Sequence, residues 1–282
     1  MAGDNSEQVA EWNGPLGLRW ASLNAETDRI VAAFGDAALR IARAQAGERV
    51  IDIGCGCGDT SIVLSQAIGP EGIVLGVDVS EPMLAVARAR ASQLDLPQPS
   101  FQEGDAATSD LPRGMDLLFS RFGVMFFAAP VPAFAHLRCS LRDTGRMTFV
   151  CWRAPRENSW AMAPLIAARQ ALGFTAPPSD PFAPGPFAFA DANRVRAILL
   201  EANFQDVQID PFDAPVYLGN TPRSAAEGAA RLGPLSRLIR ETGADQAPLI
   251  VDAVETALAP LALGDGSVSL QGAAWIVSAE AG

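Results

Sequence analysis

Arg49-Val50-Ile51-Asp52-Ile53-Gly54-Cys55-Gly56-Cys57-Gly58-Asp59-Thr60 reads as a buried strand running into a glycine-rich turn and then a helix start. Val50, Ile51 and Ile53 supply the β-branched run of a central parallel strand. The alternating glycines let the backbone take positive φ and let a ligand lie against bare main chain. Asp59 or Thr60 is placed to cap the helix that begins amphipathically at Ile62-Val63-Leu64. Nucleotide and dinucleotide folds share such a turn, so the acid discriminates more than the glycines. Asp52, two residues ahead of the first glycine, would repel a pyrophosphate and suit a cationic ligand. The spacing is Gly-x-Gly-x-Gly, whereas phosphate at a helix N-terminus goes with Gly-x-Gly-x-x-Gly. A ligand with an ammonium group and no phosphate fits the stretch better.

Two further acids stand at strand ends. Ile73-Val74-Leu75-Gly76-Val77-Asp78 is a second buried strand, and Asp78 follows Gly58 by about 20 residues, where doubly wound folds place the acid that takes ribose hydroxyls. Its other reading is a loop carboxylate or helix cap. Ser80-Glu81-Pro82 opens a helix with Ser80 as N-cap, and Met83 follows where it can cover an adenine face. Gln102-Glu103-Gly104-Asp105-Ala106-Ala107 ends a third strand over 99–102, and Asp105 there can accept an exocyclic amine. Alone it would be a routine loop acid. Met115-Asp116-Leu117-Leu118-Phe119-Ser120 is the fourth strand, and Arg121-Phe122-Gly123-Val124-Met125-Phe126-Phe127 continues it. Because ligands of open α/β sheets sit at the carboxyl ends of strands, this segment should line a reaction chamber. Arg121 and Phe122 are its site candidates, while Phe126 and Phe127 read as core. A helix over 132–141 and a fifth strand over 146–152 follow; His136, the sole histidine, lies in the helix body and reads as structural or surface.

Composition narrows the chemistry. Hydrophobic residues make up 49% of the 282 and charged residues 19%, which is a globular balance. All basic residues are arginine and the net charge is −11. That argues against a phosphate-tracking surface, hence against nucleic acid, and removes lysine Schiff-base chemistry. The longest apolar region, 117–135, holds Arg121 and two prolines, so no membrane span is expected. The start has no basic or apolar leader pattern, which makes cytoplasm the expectation. Cys55, Cys57, Cys139 and Cys151 follow neither disulfide nor zinc spacing and read as reduced small residues, with no metal site.

Residues 9–46 are helical by pattern, broken at Gly14-Pro15, with an amphipathic run over 27–46. Trp12 and Trp20 on this arm either cover a ligand beside the glycine turn or pin the arm to the core. Beyond 153 come a helix over 160–172, a proline-rich segment over 176–186, a helix over 191–201, a strand over 207–212, a largely helical region over 221–263 and a last strand over 268–278.

Val50 to Gly58, Asp78, Gly104-Asp105-Ala106 and the 116–127 segment resemble the motif series of class I S-adenosylmethionine-dependent methyltransferases, most like the bacterial small-molecule group similar to ubiquinone/menaquinone-biosynthesis C-methyltransferases. The resemblance implies a Rossmann-like, doubly wound α/β fold with a seven-stranded, mostly parallel sheet and one antiparallel strand. It implies that Gly54, Gly56 and Gly58 hold the methionine part of S-adenosylmethionine, that Asp78 binds ribose, that Met83 packs on adenine, and that Asp105 with Ala106 receives the adenine amine. Asp52, Cys55, Thr60, Val79, Gly104 and Ser120 complete the expected cofactor set. One departure is Leu141-Arg142-Asp143-Thr144-Gly145, where the family usually has a Pro-Gly-Gly turn; a loosened turn is expected. The expected organisation is an arm (1–25), a core (26–152) completed by 186–216 and 266–282, and a helical cap from 153–185 and 217–265, since a long insertion in a compact domain is usually functional.

Methyl transfer from a sulfonium is an in-line displacement in which cofactor charge disperses, so a dry, apolar pocket and alignment worth roughly 7–11 kcal/mol are enough, without a strong base. The product would be S-adenosylhomocysteine. Arg121 and Arg153 are read as holding a phenolate, enolate or carboxylate, with Trp12, Trp20, Met125, Trp152 and Tyr217 as further acceptor-pocket candidates. The acceptor is expected to be a small, partly apolar or aromatic molecule methylated at O, N or C, and the enzyme a monomer or homodimer. A nicotinamide-dependent oxidoreductase and a noncatalytic adenosyl-cofactor-binding protein are the alternatives.

Overall fold

The computed structural model describes residues 5–94, 99–175 and 180–282. β1 (Arg49–Ile53) lies mid-sheet because Val50, Ile51 and Ile53 have no solvent side, and it pairs in parallel with β2 (Ile73–Asp78) and β4 (Met115–Arg121). With β3 (Ser100–Glu103), β5 (Leu141–Trp152), β6 (Gln205–Gly219) and β7 (Val268–Glu280) the sheet has seven strands in the order β3-β2-β1-β4-β5-β7-β6. β7 runs antiparallel to both neighbours and the rest are parallel, as the resemblance implies. Strand order reverses between β1 and β4, and a crevice opens at their carboxyl ends.

α1 (Ser6–Asn13) and α2 (Pro15–Ser22) meet at Gly14, and α3 (Asn24–Ala42) brings the fully buried Phe34 to the sheet. α4 (Asp59–Ile68) and α5 (Glu81–Ala91) start without the expected side-chain caps. Gly58, at φ 80°, occupies the α4 cap, so Thr60 is released to bond Asp52, and Ser80 Oγ donates to Trp12 O at 2.7 Å. α6 (Pro130–Arg138) begins earlier than expected because Pro130 sits at its first turn, and α8 (Ala192–Glu201) is capped by Asp191, whose Oδ1 accepts from Asn193 N at 2.8 Å. His136 Nε2 lies 2.8 Å from Ser109 O, tethering α6 to the loop after β3. The loosened turn expected at 141–145 is instead an irregular part of β5, pinned by Arg142 Nη1 to Asp116 Oδ1 (2.7 Å) and Ala281 N to Gly145 O (2.8 Å). A side chain at Gly145 would meet Met115 O at 2.9 Å, which is why glycine holds that place.

β6 and β7 both run beyond their expected ends. Ala274 is the outermost β7 residue paired with β5, Arg153 N adds one bond to Ala273 O (2.9 Å), and the ribbon from Gly272 to Val268 pairs with β6 alone. Where β5 ends, Asn158 replaces it. Its Nδ2 donates to Ala273 O (3.1 Å) and its Oδ1 accepts from Ala273 N (2.9 Å) and from Trp160 Nε1 (3.0 Å), all with the residue buried. Asn158→Ala would strand Ala273 N and the Trp160 indole N–H, while Ala273 O keeps Arg153 N at 2.9 Å, and at about 1–3 kcal/mol for each unsatisfied buried partner we expect a loss near 3 kcal/mol in denaturant unfolding. A loss below 1 kcal/mol would show that solvent replaces the amide.

Off the ribbon, α7 (Ser159–Leu172), α9 (Pro222–Arg231), α10 (Gly233–Thr242) and α11 (Ala247–Leu258) gather a second apolar cluster from Leu165, Ala168, Ala226, Leu235, Ile250 and Val254. The proline-rich stretch reaches into 176–179, which lies outside the described residues. Among the described residues no helix is long and apolar enough to cross a membrane.

Candidate functional site

Gly54, Gly56 and Gly58 all take positive φ (65°, 54° and 80°), a region that costs a side-chain-bearing residue strain. Gly54 faces Gly123 of the β4 continuation; a Cβ on Gly123 would meet Ile53 O at 2.7 Å and Gly54 Cα at 2.9 Å. Ser120 Oγ knits the two strand ends, donating to Ile53 O at 2.8 Å and accepting from Gly123 N at 3.2 Å. Beneath the turn, Asp52 is fully buried, and its Oδ2 accepts from Thr60 Oγ1 (2.7 Å) and Ser61 Oγ (2.6 Å). Oδ1 has no partner among the described residues, and burial pushes the carboxyl up to about 6.

Asp78 closes β2 beside that turn. Its Oδ2 accepts from Gly56 N at 2.8 Å and its Oδ1 from Ser80 N at 2.9 Å, so the two oxygens are fixed by backbone and each keeps accepting capacity. Burial raises its pKa despite both bonds. Asp105 is held by Ala107 N (2.9 Å) and by Asn5 Nδ2 of the arm (2.8 Å). The arm is fastened close by, with Asn13 Nδ2 on Val79 O (2.7 Å) and Asn13 Oδ1 accepting from Glu81 N (3.0 Å). Trp12 and Trp20, 5.5 Å apart edge to face, pack with Met83 and Cys57.

These groups line a cavity of about 250 Å³ that continues past the turn between Ile30, Val31, Phe122, Met125, Trp152 and Trp160. Phe122 takes φ 62°, an uncommon setting for a bulky residue, and lies stacked on Trp152 at 4.2 Å and 16°. Trp160 continues the aromatic wall 5.0 Å from Trp152. At the floor a closed ring of ion pairs links Arg121 to Asp59 (2.8 Å) and Asp28 (2.7 Å), and Arg90 to the same two carboxylates (3.2 and 2.9 Å). Its charges cancel. Gly35 of α3 makes room for it, since a Cβ there would lie 2.9 Å from Arg121 Cδ.

Residues 50–145 match the family described as a methyltransferase domain. Over that stretch the chain is similar to methyltransferase domains. Among similar curated proteins, aklanonic acid methyltransferase DauC of a Streptomyces strain is 36% identical over 104 residues, 36% of this chain and 47% of that one. Demethylmenaquinone methyltransferase of Listeria monocytogenes is 29% identical over 123 residues, 43% of this chain and 52% of that one. The chain thus spans about half the length of the curated relatives it matches. The YcgJ protein of Bacillus subtilis shares the fold, with a TM-score of 0.58 at 19% identity, covering 87% of this chain and 97% of that one.

Within the matched stretch, Gly54, Cys55, Gly56, Thr60, Asp78, Val79, Met83, Gly104, Asp105 and Ala106 line the cavity, whereas Asp52, Gly58 and Ser120 lie outside its lining. Those three shape the turn from behind. Arg121, Phe122, Trp12, Trp20, Met125 and Trp152 also reach the cavity, but the terminal nitrogens of Arg121 are both engaged in the ion-pair ring, which removes the expected anion-holding role. Arg153 does not reach it: its guanidinium pairs with Asp213 (2.8 Å) and Glu157 and lies over the Trp275 ring. Tyr217 faces a separate, smaller recess. Asn5, Gln8, Asp28, Ile30 and Trp160 carry no site signal in the sequence; Trp160 is one of five tryptophans, Asn5 and Gln8 precede the expected helical region, and Asp28 and Ile30 lie unmarked within it. Burial keeps the turn thiols protonated, with Cys57 pushed up to about 12 and Cys55 also raised. Among the described residues no cluster of three or more His, Cys, Asp or Glu could hold a metal ion.

Proposed function

We propose that this protein moves the sulfonium methyl of S-adenosylmethionine to an O, N or C nucleophile of a small, largely apolar acceptor, leaving S-adenosylhomocysteine. The observation that carries the reading is Asp78: both its oxygens are aimed by backbone N–H groups beside three positive-φ glycines, on the wall of a cavity with an aromatic far half. Asp78 takes the ribose hydroxyls, Met83 covers the adenine, and Asp105 with Ala106 receives its amine. The methionine part lies against Gly54 and Gly56, whose lack of side chains leaves bare main chain. Asp52, whose Oδ1 is buried and unpartnered among the described residues, supplies negative potential beneath a cationic ligand.

When bound, the cofactor supplies an activated methyl on a positively charged sulfur. The chain's own work is to align and to keep dry. Phe122, Trp152 and Trp160 exclude water from the acceptor side, and a low-dielectric wall favours a reaction in which charge disperses. Arg121 contributes a fixed, neutralised floor. His136 is committed to Ser109 away from the cavity, so the acceptor's own acidity, rather than a side-chain base, supplies the nucleophile. The relatives named for aklanonic acid and demethylmenaquinone support a small-molecule acceptor. The helical layer of α7 and α9–α11 acts as the cap that selects it.

Titration calorimetry with S-adenosylmethionine, S-adenosylhomocysteine and NAD tests the reading. We expect one-to-one binding of the first two and none of NAD. Binding of NAD with no response to either adenosyl compound would sink it.

A further inference from the structure

Behind the aromatic wall lies a second recess of about 50 Å³, which Ile30, Trp160, Leu232 and Pro234 line from one side while lining the main cavity from the other. The partition is therefore a single layer of side chains. Trp160, its largest member, is held by Asn158 through the indole N–H at 3.0 Å. Gly233, at φ 71°, lets the chain turn between α9 and α10 within 3.5 Å of the indole, measured from where a Cβ would stand.

The recess has its own charge. Arg29 lines it, and among the described residues its guanidinium has one partner, the Tyr217 ring, 5.1 Å from the centroid. A guanidinium lying on a ring keeps its N–H edge free for a carboxylate. Glu26 also lines the recess, but its carboxylate pairs with Arg231 at 3.6 Å. Tyr217 Oη donates to Asn220 Oδ1. Two arginines against one glutamate leave this spot positive in a chain whose net charge is −11. The contrast with Arg121 is direct, because that arginine faces the main cavity with its charge already balanced by Asp28 and Asp59.

We propose that a bound acceptor parts this single layer, so that its site extends past Trp160 into the recess, and that Arg29 binds a carboxylate at the far end of the acceptor. The substrate class is then an elongated molecule, with an apolar head carrying the nucleophile among Phe122, Trp152 and Trp160 and a carboxylate-ended tail. This deepens the methyltransferase reading and rests on it.

The test uses ω-(4-hydroxyphenyl)alkanoic acids with two to six methylenes and their methyl esters, followed by tryptophan fluorescence quenching with and without S-adenosylhomocysteine. The longer acids should bind the full chain about tenfold more tightly than their esters at low salt. Arg29→Gln should erase that preference and Arg29→Lys keep part of it, while calorimetric affinity for S-adenosylhomocysteine stays unchanged; Glu26→Gln should widen it. Equal binding of acid and ester at every length, or a preference that survives Arg29→Gln, overturns the proposal. Failure of the wild-type chain to bind S-adenosylhomocysteine would overturn the methyltransferase reading instead, and acid preference measured without it would still report on Arg29.

Discussion

Asp78→Ala is expected to weaken S-adenosylmethionine binding about a thousandfold while leaving the chain folded, because hydrogen bonds to a charged acceptor are worth roughly 1.5–3 kcal/mol each and a ribose diol offers two. The carboxylate is prepared for them. Gly56 N at 2.8 Å and Ser80 N at 2.9 Å hold one oxygen each, so little side-chain entropy is lost on binding. Removing the carboxylate also releases Gly56 N from its acceptor and loosens the turn on the ligand's other side. Asp78→Asn keeps one acceptor and should fall between wild type and alanine. Folding should survive, because burial already raises this carboxyl's pKa, which marks its charge as costly to the native state. Calorimetry for affinity and circular dichroism for folding separate the two effects. An affinity within tenfold of wild type would remove Asp78 from the ribose role.

What could be read from the sequence was what depends on neighbours in the chain. Val50, Ile51 and Ile53 form the central strand because both its faces are buried, and Asp78 ends β2 while Asp105 follows β3 by two residues because strand and turn chemistry are local. Side-chain partners separated along the chain were out of reach. Arg121 looked free beside an apolar segment, yet Asp28 of α3 and Asp59 of α4 neutralise it. Arg153 sits at the end of β5 as expected, but Asp213 and Glu157 draw it away from the cavity. Ser80 occupies a capping position and spends its hydroxyl on the arm instead. The hold of Asn158 on the ribbon carries no local signal, because Ala273 lies on β7, far along the chain.

Stability should fall as pH rises through the range set by Asp52. An aspartate in an unfolded chain titrates near 3.9, whereas burial holds this one at about 6 in the native state, against the opposing pull of the Ser61 and Thr60 hydroxyls. The native state therefore binds the extra proton between those values. Its contribution is complete below about 4 and is lost as pH climbs past 6, an amount of roughly 3 kcal/mol at 1.36 kcal/mol per unit. Asp78 acts in the same direction, since its pKa is raised too and its charge adds to that of Asp52. Asp52→Asn isolates the effect. The amide oxygen can still accept from Thr60 and Ser61, while its NH2 takes the place of an oxygen without a partner among the described residues, so net stability at neutral pH should change little. The slope should change instead. Urea unfolding at intervals from pH 4.5 to 7.5 should show the wild-type free energy declining relative to the variant by 1 kcal/mol or more. Parallel curves would mean that Asp52 stays ionised in the native state, its unpartnered oxygen reached by water.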